Sequence, residues 1–187
     1  VGFKLSGLRI SPVRWLPWPA FWEINLRSYV KDKKGNRGIW FYSLDSSDAF
    51  AVSGARMLYG LPYNFARTDG YSDGKRISFT SDRKFPHTKA RSDFGATFSS
   101  SGNKARFTDS GLDQFLLERY CFWSRRKYSN YSVSSHVKHR PYDAIRTAEL
   151  NYSGQLFQSQ GFPEPTEKPV LGHYCKGFDV QATAPPW

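Results

Sequence analysis

The sequence predicts a mainly β fold of the α+β kind, built as a single domain over residues 1–187 with two or three short helices. Residues 21–30 alternate between apolar and polar side chains, which is typical of a strand with two different faces. Short apolar or aromatic runs recur between turn-forming residues, and no repeat or change of composition divides the chain. We therefore expect about eight strands or more, mostly antiparallel.

The N-terminal part is expected to contain a hairpin. Residues 1–10 alternate weakly and fit the end of a strand, whereas residues 11–20 hold three prolines and two tryptophans, as in an aromatic-anchored loop. A turn at residues 33–36 then reverses the strand at 21–30 into a strand at 38–44. The first of these strands has two different faces. Its apolar face carries Trp22, Ile24, Leu26 and Val30, and its polar face carries Glu23, Asn25 and Arg27.

A helix is expected directly after the apolar strand at 38–44, whose aromatic run is typical of a strand buried on both faces. Ser46 or Ser47 is predicted to cap this helix, Asp48 to lie in its first turn, and Gly60 to end it.

Pro62 prevents the helix from continuing, so the chain should leave it in an extended conformation. Such an exit places three side chains near one another: Arg56, Tyr59 and Tyr63.

The second half of the chain is expected to contain more strands and a second helix. Ser110 followed by Asp113 resembles a capping box, and Leu112, Phe115, Leu116 and Arg119 lie on neighbouring turns of that helix. The expected elements, in order, are a strand at 75–83, a hairpin of 94–99 with 104–108, the helix from about 110, strands at 120–124 and 131–139, a segment at 143–150 that fits strand or helix, a short capped helix at 153–161 and a last strand at 170–180.

The chain is strongly basic, with 27 Lys and Arg against 16 Asp and Glu, a net charge of +11, and 17% aromatic residues. Basic surface with aromatic side chains can bind single-stranded nucleic acid, where rings stack on bases and cations neutralise phosphates. Here the basic residues are scattered through loops without one dense block or a known recognition motif. We therefore favour a solvated basic surface and keep nucleic-acid binding as a less favoured alternative.

Metal, membrane and nucleotide sites are not expected. The two cysteines, Cys121 and Cys175, form no CxxC pair and lie near no His pair at zinc spacing, which favours two thiols in a cytoplasmic protein over a disulfide. No apolar run approaches the ~20 residues of a membrane span. The sequence contains no GxGxxG, P-loop, GxSxG or HExxH motif, and no cofactor is implied.

Six phrases occur together in order: FWEINLRSYV, GIWFYSLD, ARMLYGLPYNFA, FLLERYCFW, HVKHRPY and HYCKGFDV. Their order and spacing resemble the YqjF-like family, an uncharacterised group in the acetoacetate decarboxylase-like superfamily. The match runs from about residue 7 to residue 180, and the first segment of the family is expected to be missing here. The resemblance implies an antiparallel β-barrel or double-cone that encloses a small-molecule cavity, often in a homo-oligomer.

In the decarboxylase branch, a lysine that follows a helix and a proline forms a Schiff base with a β-keto acid. The matching positions after Pro62 are Tyr63 and Asn64, and neither is a lysine. The resemblance therefore implies a chain without Schiff-base chemistry. The glutamate on the pocket strand of that branch corresponds to Glu23.

Within a barrel, the polar face of strand 21–30 would place an acid, an amide and a guanidinium in one cavity, which suits a small carboxylate or carbonyl ligand. Glu23 and Tyr63 are the candidate catalytic residues. The candidate ligand-binding residues are Asn25, Arg27, Arg56, Arg119 and His139.

Each candidate also has a purely structural interpretation. The polar face with Glu23, Asn25 and Arg27 can be exposed to solvent, or Glu23 and Arg27 can form an ion pair. Arg56 can pair with a carboxylate such as Glu23, and Tyr63 can be a packed aromatic with a satisfied hydroxyl. Arg119 can tie the second helix to the sheet. His139 precedes Arg140, where the family pattern carries an acid, which leaves an acid–histidine pair in doubt.

The leading functional hypothesis is a small-molecule-binding protein, with turnover of a small carboxylate or carbonyl metabolite left open. One alternative is a non-catalytic binding or structural protein on the same fold, and the other is a nucleic-acid binder. If the protein is an enzyme, Glu23, Arg27 and Arg56 should converge in a closed cavity. If it is a non-catalytic structural protein, aromatic side chains should fill that cavity. A nucleic-acid binder should instead have one contiguous basic groove.

Overall fold

A computed structural model describes residues 1–7, 18–85, 91–97, 111–125, 132–177 and 179–182 of the chain. Two α-helices, a 3-10 turn and twelve strands are present in these ranges. They are β1 (Gly2–Leu5), β2 (Phe21–Lys31), β3 (Arg37–Ser46), α1 (Ala49–Tyr59), β4 (Tyr63–Ser72), β5 (Arg76–Phe85), β6 (Arg91–Thr97), α2 (Leu112–Leu117), β7 (Cys121–Arg125), β8 (Ser132–His139), β9 (Ala144–Arg146), β10 (Glu149–Gly154), the 3-10 turn Gln158–Gln160, β11 (His173–Cys175) and β12 (Val180–Ala182).

Strand β3 is the centre of a curled ten-stranded sheet. It pairs along its length with β2, which in turn pairs with β1, and its two ends pair with β4 and β7. The order through β3 is β10-β6-β5-β4-β3-β7-β8-β12, and β9 and β11 form a separate small sheet. Pairing is mostly antiparallel, as predicted, although β3 runs parallel to both β4 and β7.

The β2–β3 hairpin forms where the turn residues predict it. The Oδ1 atom of Asp32 accepts hydrogen bonds from the backbone N–H groups of Lys34 and Asn36, and Gly35 adopts a φ of 90° that favours glycine. A β-bulge follows Leu26. The sheet therefore bends next to the polar residues of β2.

Both faces of β2 are buried, and each face contacts a different hydrophobic core. Ile24 packs with Phe79 and Leu156 on the face that also carries Trp22 and Leu26, as the alternation predicts. Leu44 belongs to a second core, and its register partner on β2 is Asn25. That second core contains Ile39, Leu44, Leu61 and Phe122, with Phe41, Tyr59, Tyr63 and Val137 packed against it. The polar face of β2 consequently lies inside the fold.

The N-cap of helix α1 lies one or two residues later than the serine caps predicted from sequence. Asp48 is the N-cap, and its Oδ1 atom accepts a hydrogen bond of 2.7 Å from the backbone N–H of Ala51. The Ser46 hydroxyl instead accepts from the backbone N–H of Asp48, so the prediction of Ser46 or Ser47 as the cap is wrong. Gly60 ends the helix with a φ of 64°, as predicted.

The remaining predictions hold in outline, with two differences. The segment at 143–150, which fitted strand or helix, contains β9 and the start of β10. Residues 153–161 form the end of β10 and a 3-10 turn instead of a short helix with a cap. The last strand at 170–180 is wrong as one element, because the chain forms β11 and β12 with Gly177 between them. Ser110 and part of the predicted 94–99/104–108 hairpin lie outside the described residues, and β6 itself pairs with β5 and β10.

Cys121 and Cys175 are both free thiols. Across the ranges that the structure describes, no helix is both long and apolar enough to cross a membrane. Within the same ranges, no three His, Cys, Asp or Glu side chains come together in a way that could hold a metal ion.

Candidate functional site

A buried carboxyl group, Glu23, lies on the inner face of β2 and is only 2% exposed. The phenol of Tyr63, at the start of β4, donates a hydrogen bond of 2.6 Å to its Oε2 atom. Gly60 ends α1, and Pro62 keeps the chain extended beyond it, so that Tyr63 begins β4 beside β3 as the register partner of Leu44. The two candidate catalytic residues are therefore in direct contact.

Burial dominates the electrostatics of this pair. It raises the pKa of Glu23 from its ordinary value of 4.5 to about 7, because the charged form loses its solvation. Hydrogen bonds from Tyr63 and Asn25 act against this rise without cancelling it. Burial and the neighbouring carboxylate raise the pKa of Tyr63 well above 10. Near neutral pH, Glu23 can accept or release a proton, while Tyr63 remains a hydrogen-bond donor.

Two further predicted residues border the pair. Asn25 is 3% exposed, and its Oδ1 atom has no hydrogen-bond partner among the described residues. Arg56 is exposed and donates to the backbone carbonyl oxygen of Tyr63. The expectation that Arg56 converges with Glu23, or pairs with it, is therefore wrong, because its side chain is bonded to the backbone of β4. Its observed contact can still fix the position of Tyr63.

A buried ion pair, which sequence reasoning missed, lies on the opposite face of the sheet. Asp45 is fully buried, and the Nε and Nη2 atoms of Arg83 lie 3.0 and 2.9 Å from its Oδ1 atom. Asn64 and Ser81 also donate to the Asp45 carboxylate. Burial raises the pKa of Asp45 and the Arg83 guanidinium opposes that rise. One feature of the sequence indicates this pair, because Asp45 is a charged residue within the largely apolar segment 39–46.

Arg27 and Arg119 both approach Tyr29 at the other end of the inner face of β2. Arg27 and the phenol of Tyr29 both donate to the carbonyl oxygen of Leu116, at 3.4 and 2.9 Å. Arg119 is 9% exposed and stacks over the Phe115 ring, with its Cζ atom 4.4 Å from the ring centre. Both guanidinium groups also lie 5.7 Å from the ring centre of Tyr29. Helix α2 thus brings a second cation to the strand that carries Glu23.

His139 lies in an aromatic cluster at the end of β8. Its ring stacks on Tyr120 and contacts Tyr142, with centre-to-centre distances of 4.6 and 4.5 Å. The Nδ1 atom lies 2.7 Å from the carbonyl oxygen of Arg140, which can only accept a hydrogen bond, so Nδ1 is the protonated nitrogen. Glu118 accepts hydrogen bonds from the Tyr120 hydroxyl and the backbone N–H of Tyr142. Burial is the main cause that raises the pKa of Tyr120 to about 12.

Asp113 attaches helix α2 to the small β9–β11 sheet. From the sequence, only a capping role was expected for this residue. Its carboxylate contacts Arg146 and lies 2.6 Å from the Nε2 atom of His173. The Arg146 hydrogen bond is the main cause that lowers the pKa of Asp113 to about 2. These contacts can hold α2 in the position where Arg119 faces β2.

The sequence of this chain matches a family model and a relative from Bacillus subtilis. A family model, DUF2071, described as an uncharacterized conserved protein, matches residues 1–179. The uncharacterized protein YqjF of Bacillus subtilis (strain 168) is 33% identical over 180 residues, which cover 95% of this chain and 71% of YqjF.

Two solved structures of acetoacetate decarboxylase share the fold. The enzyme from Legionella pneumophila subsp. pneumophila str. Philadelphia 1 superimposes with a TM-score of 0.53 at 13% identity, and a second decarboxylase structure with a TM-score of 0.51 at 12% identity. Each comparison covers 90% of this chain, which spans 66% and 65% of the length of those chains. The predicted mainly β, acetoacetate decarboxylase-like fold is therefore confirmed. Identities this low carry no information on activity.

Proposed function

The chain belongs to the uncharacterized conserved family DUF2071, and on that premise we propose that it binds a small carbonyl- or carboxylate-bearing metabolite at Glu23 and Tyr63 and transfers protons to and from it. The resemblance to the YqjF-like family is confirmed by the same comparisons. The activity is our inference from the chemistry of the site.

One observation carries the proposal: a fully buried glutamic acid whose pKa is raised to about 7 is hydrogen-bonded to a tyrosine on the inner face of the sheet. A carboxyl group whose pKa lies near the working pH is the type of group that general acid–base catalysis requires. A residue with a purely structural role would be easier to satisfy as an amide, since burying a carboxyl group carries a desolvation penalty.

The chemistry proposed is enolisation of a carbonyl compound. The ionised Glu23 carboxylate removes a proton from the carbon next to the carbonyl group, and the electron pair of that C–H bond forms the enolate. The Tyr63 hydroxyl turns from Glu23 to the developing enolate oxygen, while Asn25 lies on the same strand face. Return of the proton from Glu23 completes the cycle, so no oxidant or cofactor is consumed.

Schiff-base catalysis does not fit the residues at the corresponding positions. Tyr63 and Asn64 follow Pro62, and neither a phenol nor a carboxamide forms an imine with a ketone. Asn64 is also engaged with Asp45. The proposed ligand is therefore a carbonyl compound whose proton is transferred by Glu23, in place of a lysine-based mechanism.

A non-catalytic binding protein is the second candidate, and a specific observation favours it. The Tyr63 hydroxyl already satisfies the Glu23 carboxyl within the chain, so the pair can be a self-contained structural contact. Ligand binding without proton exchange would identify this candidate.

The test is deuterium exchange followed by proton NMR. Pyruvate, acetoacetate and acetone are incubated in D2O with the wild-type protein, Glu23→Gln, or Glu167→Gln as an exposed control. We expect the wild type and the control to exchange the protons next to the carbonyl of at least one compound, and Glu23→Gln to lose about 100-fold or more of that rate. Equal exchange by Glu23→Gln, or no exchange above background by the wild type, would contradict the proposal.

A further inference from the structure

The guanidinium group of Arg119 presents an unused pair of donors. It is 9% exposed, and its Nη1 atom donates to the carbonyl oxygen of Glu118 at 2.7 Å. Its Nε and Nη2 atoms are buried and have no hydrogen-bond partner in the part of the chain that the structure describes. These two atoms lie on one edge of the guanidinium plane, the edge that binds a carboxylate with two parallel hydrogen bonds.

Two other arginines of this chain direct that edge at a carboxylate. Arg146 donates from Nε and Nη2 to the two carboxylate oxygens of Asp113. Arg83 donates from Nε to Oδ1 of Asp45, and its Nη2 atom forms an ion pair with the same oxygen at 2.9 Å without a hydrogen bond. Arg119 has the same donor edge in a buried position, yet no carboxylate lies within ion-pair distance of it among the described residues. A buried unpaired cation is costly, which points to an anion supplied from outside the chain.

The surroundings add positive charge to this edge. Arg27 lies close by, with its Nε atom also buried and unpartnered, and the exposed Arg37 acts on Arg119 as well. Burial is the main cause that lowers the pKa of Arg119, with Arg37 and Arg27 adding to it. Glu118 opposes this lowering, and its carboxylate oxygens accept hydrogen bonds from Tyr120 and from a backbone N–H. The region around Arg119 therefore contains three arginines and one carboxylate, and that carboxylate already accepts two hydrogen bonds.

The aromatic residues next to the two arginines leave the donor edge available. The Arg119 guanidinium lies over the Phe115 ring, with its Cζ atom 4.4 Å from the ring centre, and this cation–π contact supplies no hydrogen-bond acceptor to the buried Nε and Nη2 atoms. Phe115 is 41% exposed, and rotation of its ring would open the guanidinium to a ligand from solvent. The carbonyl oxygen of Leu116 occupies one donor of Arg27 and leaves its Nε atom.

We propose that Arg119 and Arg27 form a carboxylate-binding subsite, with the ligand's acid group held on the Nε/Nη2 edge of Arg119 and supported by Arg27. This inference rests on the proposed function in that it assigns the acid group of the same ligand, while Glu23 acts on its carbonyl end. Arg27 and Glu23 lie on the inner face of one strand, four residues or roughly 13 Å apart at about 3.3 Å per residue, so a ligand that reaches both must be longer than pyruvate, which serves here as a carboxylate probe.

The experiment measures affinity directly by calorimetry, with pyruvate, neutral acetone and inorganic phosphate as probes. Arg119→Gln removes the donor edge, Arg119→Lys keeps the charge without the fork, and Arg67→Gln is an exposed control with the same charge change as Arg119→Gln. We expect pyruvate to bind the wild type and Arg67→Gln equally, and both Arg119 variants at least about 10-fold more weakly. If Arg119→Gln does not fold, Arg27→Gln is measured instead, with the same direction of change expected.

The outcomes separate this inference from the proposed function. Unchanged pyruvate affinity in Arg119→Gln, or acetone binding as tightly as pyruvate, would overturn the subsite even if Glu23→Gln abolishes exchange. Loss of affinity in Arg119→Gln together with full exchange by Glu23→Gln would support the subsite and contradict the catalytic role of Glu23. Tighter binding of phosphate than of pyruvate would overturn the assignment to a carboxylate.

Discussion

Replacement of Glu23 by glutamine should change how the stability of the protein depends on pH. Burial raises the pKa of Glu23 from 4.5 to about 7 in the folded state, whereas in the unfolded chain it returns to its ordinary value. Between these two values, the folded protein binds more protons than the unfolded chain. The stabilisation from the neutral carboxyl is therefore complete below the unfolded pKa and is lost as pH rises through about 7.

The magnitude follows from the size of the shift. A difference of about 2.5 pKa units at about 1.4 kcal/mol per unit amounts to about 3 kcal/mol, and because Glu23 is 2% exposed, solvent screening reduces it little. Glutamine has the same shape, can accept the Tyr63 hydrogen bond and does not titrate. The free energy of unfolding of Glu23→Gln minus that of the wild type should thus rise by about 3 kcal/mol between about pH 4 and about pH 8.

Urea unfolding at several pH values measures this difference, and subtraction of the two proteins removes the contribution of all other titrating groups. Glu167→Gln, at an exposed position, should give a difference that does not change with pH. A flat difference for Glu23→Gln over the same range would refute the claim that Glu23 titrates near neutral pH.

Three further predictions concern the same region. In a Tyr63→Phe background, Glu23 loses a hydrogen bond that lowers its pKa, so the pH midpoint of the stability difference should move up by about 1 unit; an unchanged midpoint would show that the bond is weak. Gly70→Ala places a Cβ 2.5 Å from the Trp22 ring and should lower the free energy of unfolding by about 1–3 kcal/mol, whereas Gly54→Ala, with open space around it in α1, should raise it by about 0.5–1 kcal/mol; the opposite order in urea unfolding would contradict this packing. Incubation with acetoacetate and borohydride should leave no stoichiometric lysine adduct in the mass spectrum, and an adduct at one lysine would show that imine chemistry survives.

Local patterns were sufficient for much of the fold around the site. Strict alternation placed Glu23 and Ile24 on opposite faces of β2, and Gly60 with Pro62 defined the exit that brings Tyr63 back along β3. These features depend on neighbours in sequence, where periodicity and backbone preferences act.

Contacts between distant segments could not be read from the sequence. Asp45 and Arg83 are 38 positions apart, and each alone fits an exposed charged residue. Likewise, nothing local shows that Arg119 on the far side of α2 approaches Tyr29. The choice of Asp48 over Ser46 as the helix cap depends on which residue adopts the extended backbone conformation, and several capping residues compete within three positions.

The central claim, that Glu23 acts on a ligand held along β2, is tested most directly by a crystal structure of the protein soaked with pyruvate. The account predicts pyruvate on the inner face of β2, with its carbonyl and methyl carbons next to the Glu23 carboxyl and Tyr63 hydroxyl. Pyruvate bound elsewhere, with Glu23 and Tyr63 still hydrogen-bonded only to each other, would contradict it.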